Sequence, residues 1–372
     1  MHHFLMPLLG ALLMLLVLLD VFLTVLYARI GTGFISHQLA CVVWRIFRGG
    51  SRPFTRQRDK VLSFAGPITL VLLVVVWFIG LVCGAGMIIQ PGLGTSMPAV
   101  AVAGDSMTTV GGTDIAPKTA FARLFQFVIA FLGILVLTLS VTYFLEVYNS
   151  LQRRNTFAMK LHMMTSGTGD AAELVAGLGS TGKFDVGYTH LAEMAAEMVA
   201  FEESHHFYSV LLYFRFREPH YALSRLALVT LDAVTLLKSA LDDREYAWLK
   251  EAAGVTQLWR STMQMLTLLA ISFLPRGLPQ NDDEQIDPDV QRRWRQRYFA
   301  ACRRLREANI KTMPDENAGA EIYISLRAKW DRYITSFAEH MAHNLSVVDP
   351  ASHTPEEAES RPAFATRLRS AE

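Results

Sequence analysis

Cysteine is nearly absent. Cys41, Cys83 and Cys302 stand far apart in 372 residues, with no C-x-x-C pair and no even framework. That argues against a disulfide scaffold or a zinc site and fits reduced, structural thiols. A basic excess is missing too: the formal charge of +1 argues against a nucleic-acid partner. No nucleophile–base pair, P-loop or catalytic elbow can be read, so nothing points to an enzyme. Charge as a whole is thin, at 19% of residues, against about 25% in average soluble domains. The thinning is local. Residues 1–150 hold nine Lys/Arg and five Asp/Glu, which leaves 26 (35−9) and 29 (34−5) for the remainder. The first part reads as a membrane unit and the second as a water-soluble domain.

What is present begins with long apolar runs. Residues 4–27 carry one charge, Asp20, and as a helix would cover about 36 Å, enough for a bilayer core. The run is too long for a signal peptide and lacks a basic start and a small-residue cleavage site, so it is expected to be retained. Residues 67–89 carry no charge and form a second span, opened by Pro67 and closed by Gln90-Pro91-Gly92. Residues 120–148 form a third, charged only at Arg123 and Glu146. The 28–66 connection holds Arg29, Arg45, Arg48, Arg52, Arg56, Arg58 and Lys60 against Asp59. By the positive-inside rule it stays cytoplasmic, which puts the N-terminus outside and everything after Tyr148 inside; Arg153 and Arg154 agree. Within that connection, residues 37–47 repeat apolar residues at helical spacing, which suits the membrane surface. Asp20 is expected to face protein, to snorkel or to pair with a loop arginine.

Between the second and third spans lies Asp105-Ser106-Met107-Thr108-Thr109-Val110-Gly111-Gly112-Thr113-Asp114-Ile115-Ala116-Pro117. Thr108, Thr109, Val110, Gly111 and Asp114 match the T-T-V-G-x-x-D pattern, and the stretch resembles the pore loop of potassium-channel-type, two-helix pore channels. The resemblance covers residues 66–148. It implies a pore helix over 97–108 and a filter formed by Thr108, Thr109, Val110, Gly111, Gly112 and Thr113, whose carbonyls replace a cation's hydration shell. It also implies a homotetramer, a gating hinge at Gly133, and a carboxylate pair of Asp105 and Asp114 supporting the filter. Two close carboxylates cannot both ionise cheaply, so one of them should hold a proton. The chain departs from the family where Gly112 replaces an aromatic residue and Thr113 a glycine whose backbone is often left-handed. Ala99, Ala101, Ala103 and Gly104 stand where an aromatic cuff is usual. The outer filter is therefore expected to be wide and poorly selective for potassium.

The soluble part predicts helices over roughly 170–178, 185–203, 220–242, 244–275 with a break, 287–311 and 319–345. Residues 263–274 are too short for a fourth span. Gly177-Leu178-Gly179-Ser180-Thr181-Gly182 matches G-x-G-x-x-G without the strand that a dinucleotide site needs, so it reads as a helix stop. His190, Glu193 and Glu197 read as a solvated face, not a metal site. The arginines of 292–306 make a basic stripe that could meet anionic lipid head groups, but it reads rather as a face that is exposed or salt-bridged between subunits.

The fold class expected is an all-α membrane protein. It divides into an N-terminal transmembrane helix (1–29), a basic connection (30–66), the pore module (67–148), a helical cytoplasmic domain (149–348) and a tail (349–372). The function expected is a tetrameric, lipid-embedded cation channel of the plasma (cell inner) membrane. It would pass monovalent cations, potassium by the resemblance, without a cofactor and with an unnamed cytoplasmic ligand. The alternative is a membrane-anchored sensor or scaffold whose loop does not conduct.

Overall fold

A computed structural model describes residues 2–27, 33–53, 57–93, 95–115, 119–274 and 286–350. Arg29, Arg56, Ala116, Pro117, most of the predicted 275–288 loop and the tail beyond residue 350 lie outside them. Among the described residues the chain is helical with no β-strand. Three helices are long and apolar enough to cross a membrane. The chain divides into two compact units: residues 1–151 with 205–215, and residues 152–204 with 216–372. His205–Arg215 groups with the apolar helices of the first unit.

In the first unit, α1 (His2–Val21) continues as a π-helical turn, Phe22–Leu26. It lies against α4 (Ala65–Leu93), preceded by α2 (Phe34–Gly50) and the short α3 (Arg58–Ser63). Pro91 sits inside the last turn of α4, so the helix runs four residues past its predicted end. Glycines bring α1 and α4 together. A Cβ on Gly10 would lie 2.4 Å from the Gly84 carbonyl oxygen, and one on Gly84 would lie 2.6 Å from Met14 Cγ. A Cβ on Gly80 would meet Val17 Cγ2 at 2.8 Å. Gly80 and Gly84 form the small-xxx-small spacing by which membrane helices approach without a hydrophobic driving force. Gly84→Leu is expected to part α1 from α4, lowering the thermal midpoint of the detergent-solubilised protein; an unchanged midpoint would count against this packing.

Asp20 is fully buried. Its Oδ2 accepts from Trp77 Nε1 at 2.7 Å and its Oδ1 from the Ile35 backbone N–H at 2.8 Å. Buried as it is, it does not snorkel, and among the described residues no loop arginine pairs with it. One oxygen joins α1 to α4, and the other takes one of the orphan N–H groups of the first turn of α2.

α5 (Ser96–Thr108) follows α4, and α6 (Ala120–Met164) follows α5. α6 is 45 residues, 16 more than the predicted third span. At about 1.5 Å per residue it is about 68 Å long, over twice a bilayer core. Its buried residues within the first unit recur as Ala122, Ile129, Val136, Ser140, Tyr143 and Val147, while Leu124, Phe131 and Leu145 face outward.

The second unit is built around α9 (Leu223–Ala240), which is buried almost throughout. Three of its hydroxyls are satisfied inside the core, where Thr230, Thr235 and Ser239 donate to carbonyls one turn back. α7 (Ala171–Leu178), α11 (Ala253–Phe273), α12 (Pro288–Glu307), α13 (Glu316–Ala328) and α14 (Asp331–His340) surround it, joined by α8 (Asp185–Phe207), α10 (Asp243–Lys250) and α15 (Leu345–Val348). Asp170, Asp242, Asp287 and Asp315 cap α7, α10, α12 and α13, each accepting a backbone N–H. The predicted break in 244–275 falls at 251–252, and the 319–345 segment is two helices divided near Trp330.

Candidate functional site

The stretch singled out in the sequence lies at the end of α5. This helix begins at Ser96, one residue before the predicted start, and ends at Thr108. Thr109 closes it in the left-handed region, with φ 56° and ψ 25°. Gly111 has φ 70°. Thr113 is not among the positive-φ residues. The left-handed residue that costs a β-branched side chain is therefore Thr109, not Thr113.

Asp105 organises the segment beyond the helix end. Its Oδ1 accepts the Gly112 backbone N–H at 2.5 Å, and its Oδ2 accepts the Thr113 hydroxyl at 3.0 Å. Thr108 Oγ1 donates to the Gly104 carbonyl at 2.8 Å. The expected Asp105–Asp114 carboxylate pair is not what the structure brings together: the donors on Asp105 come from Gly112 and Thr113, and Asp114 is exposed. Thr108, Thr109, Val110, Gly111 and Gly112 are exposed, with Thr113 half-buried. Val110, an apolar residue 74% exposed, is left without cover in the single chain.

Two glycines hold α5 in place. A Cβ on Gly86 of α4 would lie 2.9 Å from Val100 Cγ2, and a Cβ on Gly133 of α6 would lie 2.3 Å from the Met107 carbonyl oxygen. α5 thus packs along α4, with Ala99, Val102, Ala103 and Met107 buried, and approaches α6 at Met107. Of the alanines that stand in place of an aromatic cuff, Ala99 and Ala103 are buried in this fit, while Ala101 is exposed. α6 runs through Gly133 without a break, so here the glycine serves close approach to Met107. In the sequence Gly133 is marked only by the resemblance, as a hinge, and Gly86 only by standing two residues after Gly84 in an apolar run.

In the second unit, Gly177–Gly182 ends α7 and makes one 3-10 turn, Ser180–Gly182, with a helix rather than a strand before it. Lys160 reaches Glu193 at 3.6 Å and Glu197 at 3.0 Å, and His190 Nδ1 lies 3.3 Å from Glu193. Among the described residues no group of His, Cys, Asp and Glu is placed to hold a metal ion. The α12 arginines are largely paired within the chain: Arg295 with Glu321, Arg304 with Glu173 and Arg306 with Glu316. Arg297, which the sequence assigned to that stripe, is buried and bridges Asp170 and Asp232 at 2.5 and 3.0 Å. Arg327 lies between the rings of Trp294 and Trp330 and bonds Asp331 and the Tyr323 hydroxyl. The buried charges of this network are paired and hydrogen-bonded, as buried ions must be.

A small cavity is lined by Leu161, His162, Thr165, Gly169, His220 and Arg225. The two imidazoles stack there with centroids 4.4 Å apart and 12° between planes. Burial lowers the His220 pKa; neighbouring His162 and Arg225 lower it further, and Glu218 opposes them. A depressed folded-state pKa gives stability that is full above the unfolded value of about 6.5 and is lost as pH falls through the folded value. The second unit is therefore expected to lose stability on acidification below about pH 6.5, and His220→Phe should flatten that dependence in thermal melts.

No protein-family model matches the chain, and no solved structure matches it. A curated protein of Bacillus subtilis (strain 168), the uncharacterized membrane protein YdjJ, is 26% identical over 249 residues, 63% of this chain and 70% of that protein. With three helices able to cross a membrane, the likeness decides the class. Both findings point to a membrane protein.

Proposed function

We propose that the chain is a subunit of a homotetrameric channel for monovalent cations. Four copies of the 108–113 backbone would surround the axis, because one loop cannot encircle an ion. The observation that carries this reading is the anchoring of Gly112 and Thr113 by Asp105 at the end of α5, while Thr108–Gly112 stays open on the other side. Non-helical backbone at membrane depth needs protein behind it and a wet cavity in front. Asp105 and the glycine-seated α5 supply the first, and symmetry copies would enclose the second. The C-terminal, partially negative end of α5 faces the same segment and favours a cation there.

Asp105 also takes over a task that an aromatic after the Val-Gly pair performs in the resembling family: it braces the outer loop from behind. A hydrogen-bonded brace leaves more room than a packed ring, so sodium and potassium should both pass. The basic 30–66 connection supports an orientation with the N-terminus outside and the second unit in the cytoplasm of a plasma (cell inner) membrane. The second unit would assemble the tetramer and answer a ligand. Purified protein in liposomes should release entrapped cations. Gly111→Asp, which puts a side chain and a charge at a φ of 70°, should abolish release while the tetramer persists on native mass measurement. A tetramer without release would favour the non-conducting scaffold.

A further inference from the structure

We infer that the outward side of α2 docks on an anionic bilayer surface, with Leu39, Val42 and Ile46 against acyl chains and Arg45, Arg48 and Arg52 at the lipid phosphates. One side of α2 is already occupied: Ala40, Val43 and Trp44 are buried, and the Trp44 ring sits 5.9 Å from that of Tyr213. At about 100° per residue, Leu39, Val42 and Ile46 fall in a separate row. Ile46 is 64% exposed and Val42 46%. Gln38, Arg45 and Arg48 fall in a third arc between that row and the buried side, and Arg52 follows two residues past the helix. Such a three-way division suits a helix that touches protein, acyl chains and head groups at once.

The charges are available. Arg45, Arg48 and Arg52 take part in no ion pair among the described residues. Asp59, the only carboxylate between residues 21 and 104, is taken by Arg215 at 2.5 Å. The occupant follows from continuity with α1. The Ile35 N–H bonds Asp20, and Thr24 Oγ1 lies 2.9 Å from Ser36 Oγ. These bonds tie the start of α2 to the last turns of an apolar helix whose Leu15, Leu19, Phe22 and Leu26 are exposed. Lipid that covers α1 reaches the apolar row of α2 at its boundary, where a cation on an anionic surface gains roughly fivefold in partitioning.

The test uses the full chain in mixed phosphatidylcholine and phosphatidylglycerol membranes, with retained lipids counted by native mass spectrometry. Wild type should retain phosphatidylglycerol in excess of its bulk share. Arg45→Gln/Arg48→Gln/Arg52→Gln should lose that excess, and the single variants should each lower it by about fivefold or less. Ile46→Gln should reduce total retained lipid without changing the charge preference. Arg292→Gln/Arg293→Gln, on α12, should change nothing. No excess in wild type, or an excess that survives the triple variant, would overturn the inference. So would displacement by inorganic phosphate, which would mean a free-anion site, or dissociation of copies by the triple variant, which would make this side a contact between subunits.

Discussion

Gly133→Val is expected to abolish cation flux and to lower stability together. A Cβ at 133 would lie 2.3 Å from the Met107 carbonyl oxygen, 2.7 Å from Met107 Cγ and 3.0 Å from the carbonyl carbon. Two of these atoms are backbone, so the contact cannot be relieved by turning a side chain; α5 must move away from α6. Met107 lies two residues after Asp105, and Asp105 holds Gly112 and Thr113. A displacement of the helix end is therefore passed directly to the proposed ion path. Overpacking of this kind costs about 1–3 kcal/mol, and flux should fall by more than tenfold. Gly133→Ala should show both effects in smaller measure. Thermal unfolding in detergent and flux in liposomes, measured on the same preparations, check it. A hinge role alone would alter flux and leave the melting midpoint in place.

The second large effect is expected at Asp20. Asp20→Leu fits an apolar environment by polarity, yet it strands the Trp77 indole N–H and the Ile35 backbone N–H. A buried donor left without an acceptor costs about 1–3 kcal/mol, so two give roughly 2–6 kcal/mol. The start of α2 also loses its tie to α1. Asp20→Asn keeps one acceptor oxygen and should lie between wild type and leucine. The thermal midpoint of the three proteins in one detergent gives the order, and a leucine variant as stable as wild type would mean that Asp20 does not hold α1, α2 and α4 together.

Much of the fold was legible because hydrophobic length and periodicity are local. The three apolar helices start within a few residues of their expected positions, and α5 ends at Thr108 as expected. α6 is longer than its apolar run because the 149–164 segment is polar enough to end a span without ending a helix; hydropathy marks the membrane boundary, and only backbone hydrogen bonding marks the helix end. The G-x-G-x-x-G stretch is legible as a stop because no strand precedes it. Partners distant in sequence could not be read. Asp20 finds Trp77 57 residues away, and Arg297 leaves an apparently solvated stripe to join Asp232 65 residues away. The resemblance singles out Asp105, but its partners are Gly112 and Thr113 rather than Asp114. Loop geometry decides that choice, and composition does not encode it. The Gly80/Gly84 spacing is visible in the sequence as a small-xxx-small pair.

The most direct test is electrical. Purified chain in a planar bilayer, with potassium on one side and sodium on the other, should give cation currents whose reversal potential lies near zero, as a wide outer filter requires. Gly111→Asp should remove them while the protein remains a tetramer. Absence of current from tetrameric wild type, or current unchanged by Gly111→Asp, would contradict a conduction path through residues 108–113.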